Sequence, residues 1–197
     1  MTMLTMFWRD AINKAHTELV EESNTREIGK IRQHANEYMV QDWLNTVWEY
    51  PVCRHEEMTE EQFGVLDHNC SGWDMLEPIS GMRIQAKYRA GKNKSGRWHM
   101  EQTRRTTGTN TKKTHNGQVR YGAEEFDVML FTTPQKISEV FSPGDLIAIP
   151  SDELRDPMMP GFLVGRAPPA LVEKWAQRDT IEVIREVRAK ILEMKGI

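Results

Sequence analysis

The sequence predicts an α/β (α+β) fold, a central mixed β-sheet flanked by helices. Three observations carry that prediction. Apolar residues recur at helical spacing through residues 1–50 and again after Ala170, strand-sized apolar or alternating runs fill the middle, and no internal repeat or low-complexity tract points to a repetitive architecture. At 197 residues, with 39% hydrophobic and 28% charged residues, the chain is long enough to bury its own core, and a single domain over 1–197 is expected.

Leu4, Phe7, Trp8, Ala11, Ile12, Ala15 and Leu19 predict a first helix over residues 4–22. "ESNT" then supplies capping residues for a second, from about Arg26 to Trp48, which Pro51 prevents from extending. Its stripes are Ile28, Ile31, Ala35 and Met39, then Val40, Leu44 and Val47. "TEEQ" (59–62) is a capping-box pattern ahead of the polar connection "LDHNCSGWD".

The sheet is expected within residues 72–150. "MRIQAKYR" (82–89) alternates cleanly and "RWHMEQTR" (97–104) less so, while "FDVMLFT" (126–132) and "DLIAIP" (145–150) have the β-branched and aromatic content of buried strands. "TTGTNTKKTHNGQ" (106–118) has no periodicity and is expected to be a mobile loop within a basic stretch, 91–120. The last element, within 168–195, is a helix from Ala170 to Lys195 with Leu171, Val172, Trp175, Ile184, Val187 and Ile191 facing inward and Gly196 at its end.

Composition narrows the function classes. Cys53 and Cys70 are the only cysteines, with no CxxC pattern, so neither a disulfide scaffold nor a structural zinc site is expected, and a reducing, cytoplasmic location fits. Arg9 and Asp10 interrupt the apolar start before a signal sequence forms, and no apolar run approaches a membrane span. The six histidines show no HExxH spacing, and there is no GxxxxGK[ST] loop for a nucleotide. Charge is polarised: residues 83–120 hold eleven Lys/Arg against one acid, Glu101, a local +10 that leaves −13 on the rest of a chain totalling −3. A polyanion-binding surface leaves that footprint.

Alternation along 82–89 puts Met82, Ile84, Ala86 and Tyr88 on one face and Arg83, Gln85, Lys87 and Arg89 on the other. Asp74 lies eleven residues before Gln85, and Pro78 and Gly81 allow a tight turn that brings it to the same end of the sheet. A carboxylate, an amide oxygen and the carbonyl of Ala86 are hard donors suited to Mg2+, and Lys87 beside them can orient or deprotonate a water or offset charge building on phosphorus. Metal-assisted phosphodiester hydrolysis is the reaction class those groups suit. Tyr121 and Trp98 are read as core aromatics rather than base-stacking groups.

"GWD" followed by "IQAKYR" resembles the PD-(D/E)xK nuclease superfamily, which includes type II restriction endonucleases, Holliday-junction resolvases and some homing endonucleases. The resemblance extends more weakly over 26–150. Asp74 matches the motif's aspartate, Gln85 its second acidic position and Lys87 its lysine, with Trp73 at the proline position. It implies a restriction endonuclease-like core and a DNA endonuclease using Mg2+, with Mn2+ as a substitute. It further implies a helix acid completing the metal site, Glu37 or the competing Glu27, and a homodimer with two active sites for two strands. Arg83, Arg89, Lys92, Lys94, Arg97, Arg104, Arg105, Lys112 and Lys113 are then the expected phosphate contacts. The alternatives are a resolvase or homing-type nuclease, and a DNA-binding protein of the same fold without catalysis.

Overall fold

The computed structural model describes residues 25–54, 57, 72–88, 91–92, 98–99, 103–105, 118–132 and 146–197, with side chains described at 36–54, 57, 72–87, 120–132 and 146–197. The expected first helix at 4–22, the capping-box segment at 59–62 and residues 106–117 of the expected loop lie outside the described residues.

Helix α1 (Thr25–Val47) forms where the apolar stripe predicts it. Asn36, Met39, Val40 and Leu44 are buried, one face at helical spacing. In its last turn, the Asn45 amide donates to Val52 O (3.2 Å) and accepts from Val52 N (2.8 Å), which turns the chain into the first strand.

The strands follow in chain order as β1 (Cys53–Arg54), β2 (Met75–Glu77) and β3 (Met82–Tyr88), then β4 (Gly91–Lys92), β5 (Trp98–His99), β6 (Thr103–Arg105) and β7 (Gln118–Arg120). After these come β8 (Val128–Thr132), β9 (Leu146–Pro150), a 3-10 turn at Ser151–Leu154, β10 (Arg155–Asp156) and β11 (Met159–Leu163). The fold is mixed α+β, and its central sheet has five strands in the order β1-β2-β3-β8-β9. β3 and β8 are parallel; the other neighbours are antiparallel. β4 pairs with β5, β6 with β7 and β10 with β11 as separate two-stranded ribbons.

Residues opposite one another in register share a face. Ile84, Ala86, Val128 and Leu130 therefore line one side, and Gln85, Lys87, Met129, Phe131, Ile147 and Ile149 the other. All five residues of β8 are buried, which is why "VMLFT" reads as a continuous apolar run rather than an alternation. α1 covers the Ile84 side, since the hydroxyl of Thr132, in line with Val128 and Leu130, donates to Asn36 Oδ1.

The C-terminal helix predicted as continuous is two, α2 (Pro169–Ala176) and α3 (Thr180–Lys195). Asp179 makes the break. Its backbone is extended and its side chain accepts from Glu182 N at 2.9 Å, capping a new helix. The Thr180 hydroxyl then donates to Leu146 O (2.7 Å) and pins that helix to β9, while Val183, Ile184, Val187 and Ile191 enter the core.

Candidate functional site

The turn foreseen from Pro78 and Gly81 forms between β2 and β3. Gly81 adopts φ 74°, a left-handed value that suits glycine, and its N–H donates to Glu77 O at 2.9 Å. The hairpin aligns Met75 with Ile84, so Asp74, just before β2, lies across from Gln85, and Asp74 N donates to Ile84 O at 2.9 Å.

Because β2 starts one residue later, the Asp74 carboxylate takes over from the ladder: its Oδ2 accepts from Ala86 N at 2.8 Å. The same oxygen accepts from the amide nitrogen of Gln85, which also donates to Ala86 O at 3.1 Å. Gln85 is 4% exposed, an amide held in the core by these bonds. A carboxylate oxygen and a main-chain carbonyl thus converge on one point, filled by the Gln85 NH2. Turned about its last bond, the same amide would present its oxygen there instead. The donor set fits a hard divalent cation, with Asp74 Oδ2, Ala86 O and Gln85 Oε1 as the groups to hold it. Among the described residues no cluster of three or more His, Cys, Asp or Glu side chains could hold a metal ion, so the charge offered at this point is that of Asp74.

Lys87, two residues along β3 on the same face, is half-buried and donates from Nζ to the Tyr121 hydroxyl at 2.9 Å. Tyr121 is 3% exposed and stands edge-on to Phe126, ring centroids 5.3 Å apart at 84°. The core reading of Tyr121 holds; its second role, steadying Lys87 from 34 residues away, had no sequence signal.

Glu125 was also not singled out. Its side chain packs against Gly72, two residues before Asp74; Gly72 has φ 114°, and a Cβ there would fall 2.5 Å from both Glu125 Cβ and Oε2. Glycine is required at that point. Glu125 thereby brings a second carboxylate to the segment that leads into Asp74.

The other expected residues fall in different places. Glu37 lies on α1, half-buried, next to Asn36, which meets Thr132; Thr132 is the register partner of Tyr88, so Glu37 belongs to the Lys87 end of the sheet on a helix covering its other face. Arg83 has partners inside the chain: Nε and Nη2 reach the two carboxylate oxygens of Asp127 at 3.2 and 3.0 Å, and Nη1 donates to Glu124 O at 2.6 Å. Its charge is balanced by Asp127 at the foot of β8, a pairing across 44 residues. The backbone puts Lys92 on β4 and Arg104 and Arg105 on β6, in the ribbons that follow β3. Arg89, Lys94, Arg97, Lys112 and Lys113 lie outside the described residues. No helix of the described residues is long and apolar enough to cross a membrane.

No family model matches the chain, and no curated protein matches its sequence. Among solved structures it is similar to the bacterial homing endonuclease I-Ssp6803I, at 14% identity over 62% of this chain and 69% of that one, with a TM-score of 0.38.

Proposed function

We propose that this chain is a divalent-metal-dependent nuclease that hydrolyses DNA phosphodiester bonds, with Mg2+ or Mn2+ held by Asp74, Gln85 and the Ala86 carbonyl. The observation that carries this reading is the convergence of Asp74 Oδ2 and Ala86 O on the Gln85 amide, with Lys87 two residues on and facing the same way. Hydrolysis requires a water oxygen to bond to phosphorus as the bond to the leaving ester oxygen breaks, with one proton lost by the water and one gained by the leaving oxygen. When bound, the cation supplies Lewis-acid polarisation of the phosphate and lowers the pKa of water. Asp74 and the Ala86 carbonyl would hold it, and the Gln85 amide, turned about its last bond, would add an oxygen. Lys87, aimed by Tyr121, faces the phosphate and offsets negative charge as it builds, or in its neutral form receives the water's proton. Lys92, Arg104 and Arg105, with the basic residues between β3 and β7, supply the phosphate contacts.

The test is cleavage of linear, mismatched and four-way DNA by the purified chain with Mg2+ or Mn2+ against a chelator control. Metal-dependent nicking or cutting is expected, and the preferred substrate separates a restriction-type enzyme from a resolvase or homing-type one. No cleavage of any substrate with either metal overturns the reading.

A second reading, a DNA-binding protein without catalysis, is favoured by the one amide that already satisfies Asp74. Calorimetric titration decides between them, since that protein would bind DNA in a salt-sensitive way and take up no Mn2+. Gln85→Glu sharpens the comparison. A second carboxylate facing Asp74 is expected to tighten Mn2+ binding about tenfold or more, the scale of one added charge at close range.

Tyr121→Phe is expected to slow cleavage about tenfold, the worth of one hydrogen bond that orients a reacting group. The ring stays packed on Phe126, so thermal melting should move little, and single-turnover rates at saturating DNA read the effect.

A further inference from the structure

Residues 157–162, "PMMPGF", are all exposed and none is charged. Met158 is 86% exposed, Met159 45% and Phe162 46%. The register closes the hairpin at Asp156–Met159, so Met158 stands at its tip and Met159 and Phe162 follow on β11, and large exposed apolar side chains this close in the chain mark a contact surface rather than scattered exposure. The base of this hairpin is held firmly. Asp156 accepts from Met158 N (2.9 Å) and pairs with Arg120 (2.8 Å), Leu163 is fully buried, and Ala123 N donates to Gly161 O at 3.0 Å. Pro157 and Pro160 narrow the backbone further. The tip is built to stand out, apolar and pre-shaped.

Its location gives the occupant. Leu163 N, at the hairpin's base, donates to Tyr121 O at 2.9 Å, and the same tyrosine's hydroxyl receives Lys87, so the hairpin is rooted on the residue that steadies Lys87. Gly122 bridges to Phe162, two residues beyond β7, which makes the hairpin continuous with the β6–β7 ribbon that carries Arg104, Arg105 and Arg120. Two-fold self-association through the hairpin would set two such ribbons side by side, each from a segment of charge +10. A polyanion meets both parts without that repulsion, its phosphates on the ribbon and its stacked bases against the tip.

We propose that the Met158–Phe162 hairpin is a wedge that enters duplex DNA beside the phosphate to be cut, its thioether and phenyl groups pressing between base pairs. This rests on the nuclease reading for the duplex itself. Opening a base step next to Lys87 loosens the backbone where a water must approach in line.

The test replaces Phe162 by p-benzoylphenylalanine in the full chain and irradiates it with a short radiolabelled duplex in Ca2+. Transfer of label to the protein is expected. Met158→Ala with Phe162→Ala should weaken duplex binding about tenfold or more, the loss that removing such stacking groups brings, with an unchanged melting temperature because both residues are exposed. Crosslinking only to a second protein chain, or wild-type binding and cutting by the double variant, overturns the wedge and leaves the nuclease reading in place. Absence of both DNA binding and cleavage in the unmodified chain overturns the two together.

Discussion

Lys87→Ala is expected to remove metal-dependent cleavage, lowering the single-turnover rate by about a hundredfold to ten-thousandfold, the range for a group that moves a proton or stabilises transition-state charge. The reason lies in its placement. The lysine is half-buried on the face that carries Gln85 and is aimed by a buried tyrosine, a costly arrangement for a cation with no work to do. Its loss takes from Tyr121 one hydrogen bond, about 1 kcal/mol, so the fold should survive and melting should fall only slightly. Duplex affinity in Ca2+ should weaken much less than the rate, because the other cations between β3 and β7 remain. Wild-type cleavage by the alanine variant would remove Lys87 from the chemistry.

The largest stability effect is expected at Glu77, three residues past Asp74. Its side chain is fully buried at the β2–β3 turn and accepts from Ile79 N (2.7 Å), Ser80 N (2.9 Å), the Ser80 hydroxyl, and Arg188 Nε (3.0 Å) on α3. Glu77→Ala leaves two backbone donors and a largely buried guanidinium without their acceptor, a loss of about 3–5 kcal/mol in chemical denaturation.

Burial alone would raise the Glu77 carboxyl, but the bonds from Ser80, Ile79 and Arg188 outweigh it and hold the pKa below the ordinary 4.5. With the folded value depressed, the carboxylate stabilises the fold fully above about pH 4.5, and that stability is lost as pH falls through the folded value. Melting temperature should therefore drop below pH 4.5 in the wild type and change less over the same interval in Glu77→Gln. Parallel curves would assign acid sensitivity to other groups.

The elements most legible in the sequence are those whose pattern is set by burial. β3 alternates because its two faces meet different surroundings, β8 runs apolar because both of its faces are covered, and of the α1 stripe Met39, Val40 and Leu44 are buried while Val47, at the helix end, is exposed. The break between α2 and α3 escaped because apolar spacing carries across it, although Asp179 followed by Thr180 is a capping signal in plain view. The β10–β11 hairpin escaped for the opposite reason: Pro157, Pro160 and Gly161 argue for a loop, and they are accommodated at a short exposed edge.

At the site, the approach of Asp74 to Gln85 was readable from one turn and one alternation. Partners that come from distant segments were not. The bond from Lys87 to Tyr121 and the fork from Arg83 to Asp127 depend on how β8 and its preceding turn dock, and no local spacing reports that.

The parallel pairing of β3 with β8 has a consequence for how such a protein can change. Both strands are fixed by a full register from Ile84–Val128 to Tyr88–Thr132, and everything between them, residues 89–127, belongs to one crossover. That crossover begins just past Lys87 and delivers Tyr121 to it, so nine of the chain's 26 Lys and Arg travel in a single segment anchored at both ends. On the nuclease function proposed above, target preference would belong to that segment and bond breaking to the sheet, and grafting a foreign 93–117 onto this frame is expected to move the first without the second.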